Sequence, residues 1–329
     1  MSRWIIPLLL VVLIALAGIS LLAGTVWLSP FDVWAGLTSG RQDLAGLIML
    51  DIRLPRLVLA LLIGGILGLS GAVLQGLLRN PLAEPGLLGV SSGASLGAVI
   101  AIYYGFAHIT ALAAPGFALV GGLVTAGLAF ALSRSGGTLA LILAGSAVSA
   151  IAAAGVSLAL NLAPNPYAAY EITTWLMGSL ADRSWDHVML AAPFILIGGA
   201  LLFATGRALD ALALGEAQAE SLGVAIGRTR LLALLGIALG VGAATAVAGA
   251  IGFVGLIAPH LVRPAVGHRP VRVLVPATLA GAIIVVAADI ATRLFHAESG
   301  PELRLGVLIS LIGAPFFLWL VLHLKRTAP

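Results

Sequence analysis

Few side chains in this sequence can do chemistry, and arginine is the commonest of the ionisable ones. The only lysine is Lys325, followed by Arg326 and preceded by no G-x-x-x-x-G-K-[S/T] loop. A phosphate-cradling loop needs that lysine on the nucleotide phosphates, so the chain has no Walker-type nucleotide site of its own. If it moves a solute uphill with ATP, another polypeptide must supply the ATPase. There is no cysteine, which removes disulfides, thiolate metal sites and cysteine nucleophiles together. Gly89-Val90-Ser91-Ser92-Gly93 matches G-x-S-x-G. That serine is a nucleophile only on a strand-turn-helix elbow with a histidine and an acid nearby, whereas here the pattern begins an apolar run. The reading is therefore not an enzyme.

The remaining polar groups fall into a few places. Asp289 precedes Arg293 by one helical turn, the spacing of an i,i+4 ion pair; a coupling-ion ligand is the other reading. His260 follows Pro259 with no second ligand at helical spacing, which favours a hydrogen-bonded structural histidine over a metal ligand. Asp51-Ile52-Arg53-Leu54-Pro55-Arg56 sets two arginines three apart. An acidic docking partner would use their guanidinium forks, and a lipid headgroup or a local salt bridge with Asp51 would use them equally well. Asn80-Pro81-Leu82-Ala83-Glu84-Pro85-Gly86 forces a sharp, ordered turn through its two prolines. It either narrows the inner end of a pathway or is simply a rigid turn. Residues 207–228 read as one or two short helices with Gly223 as a stop, facing a cytoplasmic partner or lying on the membrane surface.

The elements that must carry these groups are membrane spans. Of 329 residues, 60% are hydrophobic and only 9% are charged, with mean hydropathy +1.13. A soluble domain carries about 25% charge, and disorder requires low hydrophobicity with high charge. Net charge is +4 and the pI about 10.1, set by scattered loop arginines rather than by the clustered basic face of a nucleic-acid binder. Apolar runs long enough to cross a bilayer, about 20 residues, cover 4–28, 57–78, 87–106, 109–132, 138–162, 188–205, 231–250, 273–294 and 305–324. The first exceeds the apolar stretch of a cleaved signal peptide and reads as a span.

Arginine placement orients them. With Arg3 inside, alternation puts Arg79, Arg134, Arg207, Arg228 and Arg230 inside, and Arg41, Arg53, Arg56 and Arg183 outside. Arg263, Arg269, Arg272, Lys325 and Arg326 join the inner set only if residues 251–262 cross back. Twelve residues reach about 18 Å, short of the roughly 30 Å core. The expectation is an all-α polytopic fold of about ten transmembrane helices with one short, broken crossing buried among the others. Both termini are then cytoplasmic, and residues 1–329 form a single permease domain. Residues 207–228 make a cytoplasmic segment and 163–186 an outer-face segment. The two Gly/Pro breaks, at 79–86 and 252–259, are either halves of an internal repeat or unrelated loops. Glycine pairs Gly64…Gly68, Gly93…Gly97 and Gly236…Gly240 allow close helix approach.

Seven of the ten spans hold no Asp, Glu, Lys, Arg or His; the exceptions carry His260, Asp289 with Arg293, and His323. Proton- or ion-coupled carriers bind their coupling charge within the membrane, and channels need charged rings or oriented carbonyls. A nearly uncharged path suits a large solute expelled mechanically.

Several blocks together resemble the FecCD-type permeases, the membrane subunits of ABC importers for ferric siderophores, haem and cobalamin. They are Arg53-Leu54-Pro55-Arg56, Gly71-Ala72-Val73-Leu74-Gln75, Asn80 through Val90, Trp175-Leu176-Met177-Gly178-Ser179-Leu180, Ala248 through His260, and Gly313-Ala314-Pro315. The resemblance runs from about residue 50 to the C-terminus. It implies a second permease copy, two cytoplasmic ATPase subunits that use the ATP and magnesium, and an extracytoplasmic binding protein. It implies docking of that protein on Arg53, Arg56 and Arg293. It implies ATPase coupling through Leu214, Gly215, Glu216, Ala217, Glu220, Leu222 and Gly223. It implies an inner gate at Asn80, Pro81, Leu82, Gly137 and Thr138, spans 138–162 and 305–324 along the path, and a short helix at the outer entrance between 162 and 180.

The function expected is a multi-pass permease subunit of the bacterial inner membrane, translocating an iron chelate with no cofactor or metal of its own. Membrane lipid is a partner and nucleic acid is not. A cobalamin permease is the alternative within the family. A stand-alone secondary transporter, which needs no ATPase, is the alternative outside it, and an intramembrane hydrolase a distant third.

Overall fold

The computed structural model describes residues 4–24, 27–39, 44–133, 137–295 and 302–327, and Arg41 and Arg134 fall outside them. The described residues contain helices and no strand. The order is α1 (Ile5–Leu22), α2 (Pro30–Ser39), α3 (Leu44–Leu47), a π-wound stretch (Ile48–Arg53), α4 (Leu54–Leu78), a 3-10 turn (Pro85–Leu88), α5 (Val90–Tyr103), α6 (Ala113–Ser133), α7 (Gly137–Asn161) and α8 (Pro166–Leu176). Then come α9 (Trp185–Ala204), α10 (Gly206–Leu212), α11 (Glu216–Ser221), α12 (Ile226–Ala248), α13 (Val254–Val266), α14 (Pro270–Leu294) and α15 (Leu305–Thr327).

Among the described residues eight helices are long and apolar enough to cross a membrane, and α5 and α13 are shorter apolar helices beside them. Eight plus two gives the ten crossings expected from the arginines. The sequence marks one short crossing; the structure has two. The run 87–106 is helical only from Val90 to Tyr103, because Pro85 and Gly89 (φ +79°) hold the chain in a 3-10 turn first. Fourteen and thirteen residues span about 21 and 20 Å. Both short crossings are packed between longer helices, α5 against α6, α7 and α12, and α13 against α4 and α14. Neighbouring protein can there satisfy the exposed helix ends.

The helix boundaries follow local chemistry. Proline stands in the first turn of α4, α8 and α14, where its missing N–H costs nothing. The Asn165 side chain accepts the Ala168 N–H at the start of α8 at 2.9 Å. Arg79 ends α4 in the left-handed region (φ +49°), and Gly249 and Gly267 end α12 and α13.

α4 and α12 are the central helices, whereas α1 is almost wholly exposed and α7 and α15 bury only one side. The three glycine pairs sit where backbones meet. A Cβ on Gly64 would overlap the Gly281 carbonyl of α14, and one on Gly68 the Ala277 carbonyl. Gly93 and Gly97 face α6, and Gly236 and Gly198 bring α12 onto α9. In lipid, where no hydrophobic force drives helices together, such close van der Waals contact is the main source of association.

The tightest crossing joins α4 to α13: a Cβ on Gly71 would overlap the backbone of Gly255. Gly127 on α6 has nothing within 4 Å of the same added atom. Gly71→Leu should therefore lower the thermal midpoint of the purified protein, with an overpacking cost of about 1–3 kcal/mol or more. Gly127→Ala should leave it unchanged or slightly raised through helix propensity. Thermal unfolding in detergent micelles checks both.

Candidate translocation path and its two ends

The candidate path is a groove built from residues in three well-separated stretches of sequence. Ser179 N–H donates to the Ala248 carbonyl at 2.7 Å, and Gly306 N–H to the Gly178 carbonyl at 3.3 Å. Gly249 (φ +73°) presses against the Trp175 carbonyl, and a Cβ on Gly306 would overlap Met177 and Ala250. The blocks at 175–180, 248–253 and 306–315 thus meet along one groove of about 660 Å3. Its walls are Leu176, Met177, Ala250, Gly252, Val307, Leu311, Ala314 and Pro315, with Ser310 as the polar side chain. No ionisable group lines it. Such a surface offers a solute no charge to hold.

At one end of the groove lies the proline-bounded turn after α4. Asn80 Oδ1 accepts the Leu82 N–H at 2.9 Å, and the Asn80 carbonyl accepts the Ala83 N–H at 3.1 Å. This side-chain turn points Leu82 at a small apolar cluster with Leu256, Ile257 and Leu320. Further along, the Glu84 carboxylate accepts the Phe253 N–H at 3.3 Å. Phe253 is the N-cap of α13 and stands in the left-handed region at φ +66°, uncommon for an aromatic residue. Gly313 of α15 leaves room for its ring. Glu84 therefore supplies a hydrogen-bond acceptor at the start of a helix that begins inside the bundle. The two breaks noticed in the sequence are parts of one structure: the first supplies the acceptor that the second lacks. α7 packs on this turn, since a Cβ on Gly145 would overlap the Leu87 carbonyl. Gly137 begins α7; the side chain of Thr138 lies outside the described residues. Of the expected gate residues, the structure brings Leu82 to the foot of α13 and α15. Asn80 shapes the turn, and Pro81 lines a neighbouring cavity.

The same end carries Arg79, Arg263 and Arg269 beside α10. Asp210 of α10 accepts from Arg269 Nη2 at 2.6 Å and from the Val271 N–H at 3.0 Å, tying α10 to the start of α14. Gly215 (φ +120°) turns the chain into α11, and Gly223 (φ +83°) ends it as its glycine suggested. Glu216 accepts from Arg230 Nη2 at 2.7 Å, so this glutamate anchors α11 to α12. Leu214, Ala217, Glu220, Leu222 and Gly223 are exposed, and Gly215 is buried.

At the opposite end, Arg53, Arg56 and Arg293 converge, but on partners within the chain. Asp289, with no exposed surface, accepts from Arg56 Nε and from Arg293 Nη2, each at 2.8 Å. Arg56 Nη2 also reaches Glu302 Oε1 at 2.8 Å. Arg293 donates to the Ser20 and Ala23 carbonyls at 2.9 Å and to Ser20 Oγ at 2.6 Å; Arg53 donates to the Leu21 carbonyl. The i,i+4 pair expected for Asp289 is present and is one half of a larger cluster. These arginines lace the end of α1 to α4 and α14. Only Arg56 also lines an outward cleft of about 330 Å3, beside Arg183, Arg304, Asp182 and Glu302. Arg183 and Arg304 are absent from the docking residues expected from sequence. The one signal for Arg183 was its place among the outward arginines.

Three smaller readings resolve. His260 is not hydrogen-bonded as expected: its Nδ1 is buried without a partner, and its ring meets Phe316 edge-on at 5.7 Å. Ser91 lies in α5 opposite the Thr245 hydroxyl at 3.5 Å, with no strand-turn-helix elbow around it. Residues 166–176 form the short helix expected near the outer entrance.

Comparison with known proteins agrees with this arrangement. The model of the FecCD transport family matches residues 9–323. The hemin transport permease HmuU of Yersinia pestis is 39% identical, over 98% of this chain and 97% of its own. The vitamin B12 import permease BtuC of Vibrio vulnificus is also 39% identical, over 98% and 95%. A solved ABC transporter of metal-chelate type, in an inward-facing conformation, superposes with TM-score 0.84 at 33% identity, covering 98% of this chain and 99% of that one.

Replacing Asp289 by Ala leaves Arg293 facing only main-chain and hydroxyl acceptors. Removing one partner of a buried ion pair costs about 3–5 kcal/mol, mostly the penalty of the stranded charge. The thermal midpoint of Asp289→Ala should fall steeply, and adding Arg293→Met should recover part of the loss. A fall in the double variant as large as the sum of the two single variants would remove the coupling.

Proposed function

The chain belongs to the FecCD transport family and is a multi-pass membrane permease of ABC-importer type, and we propose that in the bacterial inner membrane it conducts an iron chelate inward. What supports the reading most directly is the groove beside α15. It is wide, apolar and free of ionisable groups, so it supplies neither a coupling-ion site nor a charged filter. The driving force then has to come from a partner, and the likeness to a haemin permease and to a metal-chelate transporter supports an iron chelate as cargo. Cobalamin is the second reading, favoured by the equal identity to a B12 permease. A bulky metal complex is common to both.

On this reading a second copy completes the path, and two ATPase subunits bind the arginine-rich end. The exposed Leu214 and Leu222 beside α11 present apolar contact to them, while Glu216 holds α11 in place. No cofactor resides in this chain; ATP and magnesium belong to the ATPase. An extracytoplasmic binding protein docks at the other end. Of the arginines there, Arg56, Arg183 and Arg304 border the open cleft and are placed to meet carboxylates, and Arg53 and Arg293 hold α1 and α14 beneath them.

Reconstituted in vesicles with its ATPase and loaded binding protein, the permease should accumulate ferric chelate only when ATP is supplied. The permease alone should accumulate nothing; uptake driven by a proton or sodium gradient would overturn the assignment. Arg183→Glu with Arg304→Glu should weaken capture of the binding protein by about tenfold, roughly 1.4 kcal/mol. A binding curve that does not move in those variants would return the docking role to Arg53 and Arg293.

A further inference from the structure

A second cavity, of about 310 Å3, opens at the arginine-rich end between the foot of α4, α13 and the start of α14. Arg79, Arg263 and His268 line it, with the amides of Gln75 and Asn80, and no carboxylate does. Arg79 and His268 stand exposed at its rim and Arg263 is half-buried. Arg263 Nη2 donates to Gln75 Oε1 at 2.6 Å, and the Gln75 amide nitrogen is taken up by the Gly255 carbonyl at 3.4 Å. An amide oxygen accepts a hydrogen bond but does not cancel a charge. Elsewhere at this end the chain does cancel it: Glu216 meets Arg230, and Asp210 meets Arg269. The cavity is thus a concentration of positive charge that the protein leaves for something else.

The rest of the wall narrows the choice. Ala72, Gly76, Pro270 and Val273 run from the basic rim up α4 and α14 into the bundle. A cationic mouth over an apolar floor, at the level where spans give way to polar loops, has the two-part chemistry of an anionic phospholipid. Basic pockets between helices on the cytoplasmic side bind such headgroups, and guanidinium forks pair with phosphate through two hydrogen bonds.

We propose that this cavity binds an anionic phospholipid, with the phosphate on Arg79 and Arg263 and an acyl chain along Ala72, Gly76 and Val273. The bound phosphate bridges Arg79, which leads into the Asn80 turn, to α13, beside Ala213 at the entry to the α11 segment. The lipid so placed ties gate turn, broken crossing and cytoplasmic segment together. This site is independent of which solute the permease carries.

The test uses the full-length permease in mild detergent, offered phosphatidylglycerol or phosphatidylcholine at equal mole fraction, with bound lipid counted by native mass spectrometry. Wild type should retain phosphatidylglycerol over phosphatidylcholine by at least about tenfold, and excess inorganic phosphate should not displace it. Arg79→Gln, at the exposed rim, should reduce that preference, and Arg79→Gln with Arg263→Gln should abolish it. Gly76→Leu removes no charge; its Cβ has room, the nearest neighbour being 3.4 Å away, and its side chain fills the apolar floor. It too should lose the lipid, with thermal unfolding reporting that each variant is folded. Equal retention of both lipids, or an unchanged preference in the folded double variant, would overturn the proposal. Displacement by inorganic phosphate would make this a free-anion site, and displacement by the ATPase partner would make it a surface for that partner's acidic side chains; either result also overturns it.

Discussion

Water is absent from the bilayer core, so every broken helix end and every charge there must find its partner within the protein. That constraint accounts for the least regular parts of this molecule. α13 begins inside the bundle because Gly249 and Phe253 turn the chain back after α12. Its start is tolerable because Glu84, 169 residues away in sequence, accepts the Phe253 N–H. The same constraint gathers Arg56, Arg293, Asp289 and Glu302 into one cluster, where each guanidinium meets a carboxylate. An arginine alone at that position would cost several kilocalories per mole.

These satisfied elements leave the path itself nearly featureless. The groove beside α15 is bounded by small and apolar side chains and by backbone held through Ser179, Gly249 and Gly306. Specific chemistry is displaced to the two ends. One end carries the arginine cleft around Arg56, Arg183 and Arg304, and the other the exposed leucines beside α11. Glycine contacts such as Gly71 on Gly255 admit few arrangements of the helices they join. The stretch 80–88 touches α7, α13 and α15-packed residues at once. A shift of any of these elements must therefore be felt at Leu82.

Much of this was legible from residues alone. Ten crossings followed from apolar run length and from where arginines had to lie. The truncated crossing at 251–262 was legible because Arg263, Arg269 and Arg272 could not otherwise share a side with Arg79. The glycine pairs announced close contacts, and Asp289 with Arg293 announced an ion pair. The shortness of α5 was not legible, because residues 87–89 are as apolar as the helix they precede. Nor was the role of Glu84, since nothing in its own turn points to Phe253. The arginines at 53, 56 and 293 looked like outward docking groups because their spacing shows charge without showing what covers it.

Periodicity, run length and charge asymmetry are local or additive along the chain, so the sequence by itself determined the class of protein and its polytopic helical fold. Pairings between distant residues are neither local nor additive. Only the packed bundle decided that Glu84 accepts at the start of α13, that Arg53 and Arg293 bind the end of α1, and that Arg79 and Arg263 share a cavity without a carboxylate. Each depends on which helices lie within about 3 Å of one another, and in lipid that is settled by close packing and polar satisfaction rather than by hydrophobicity.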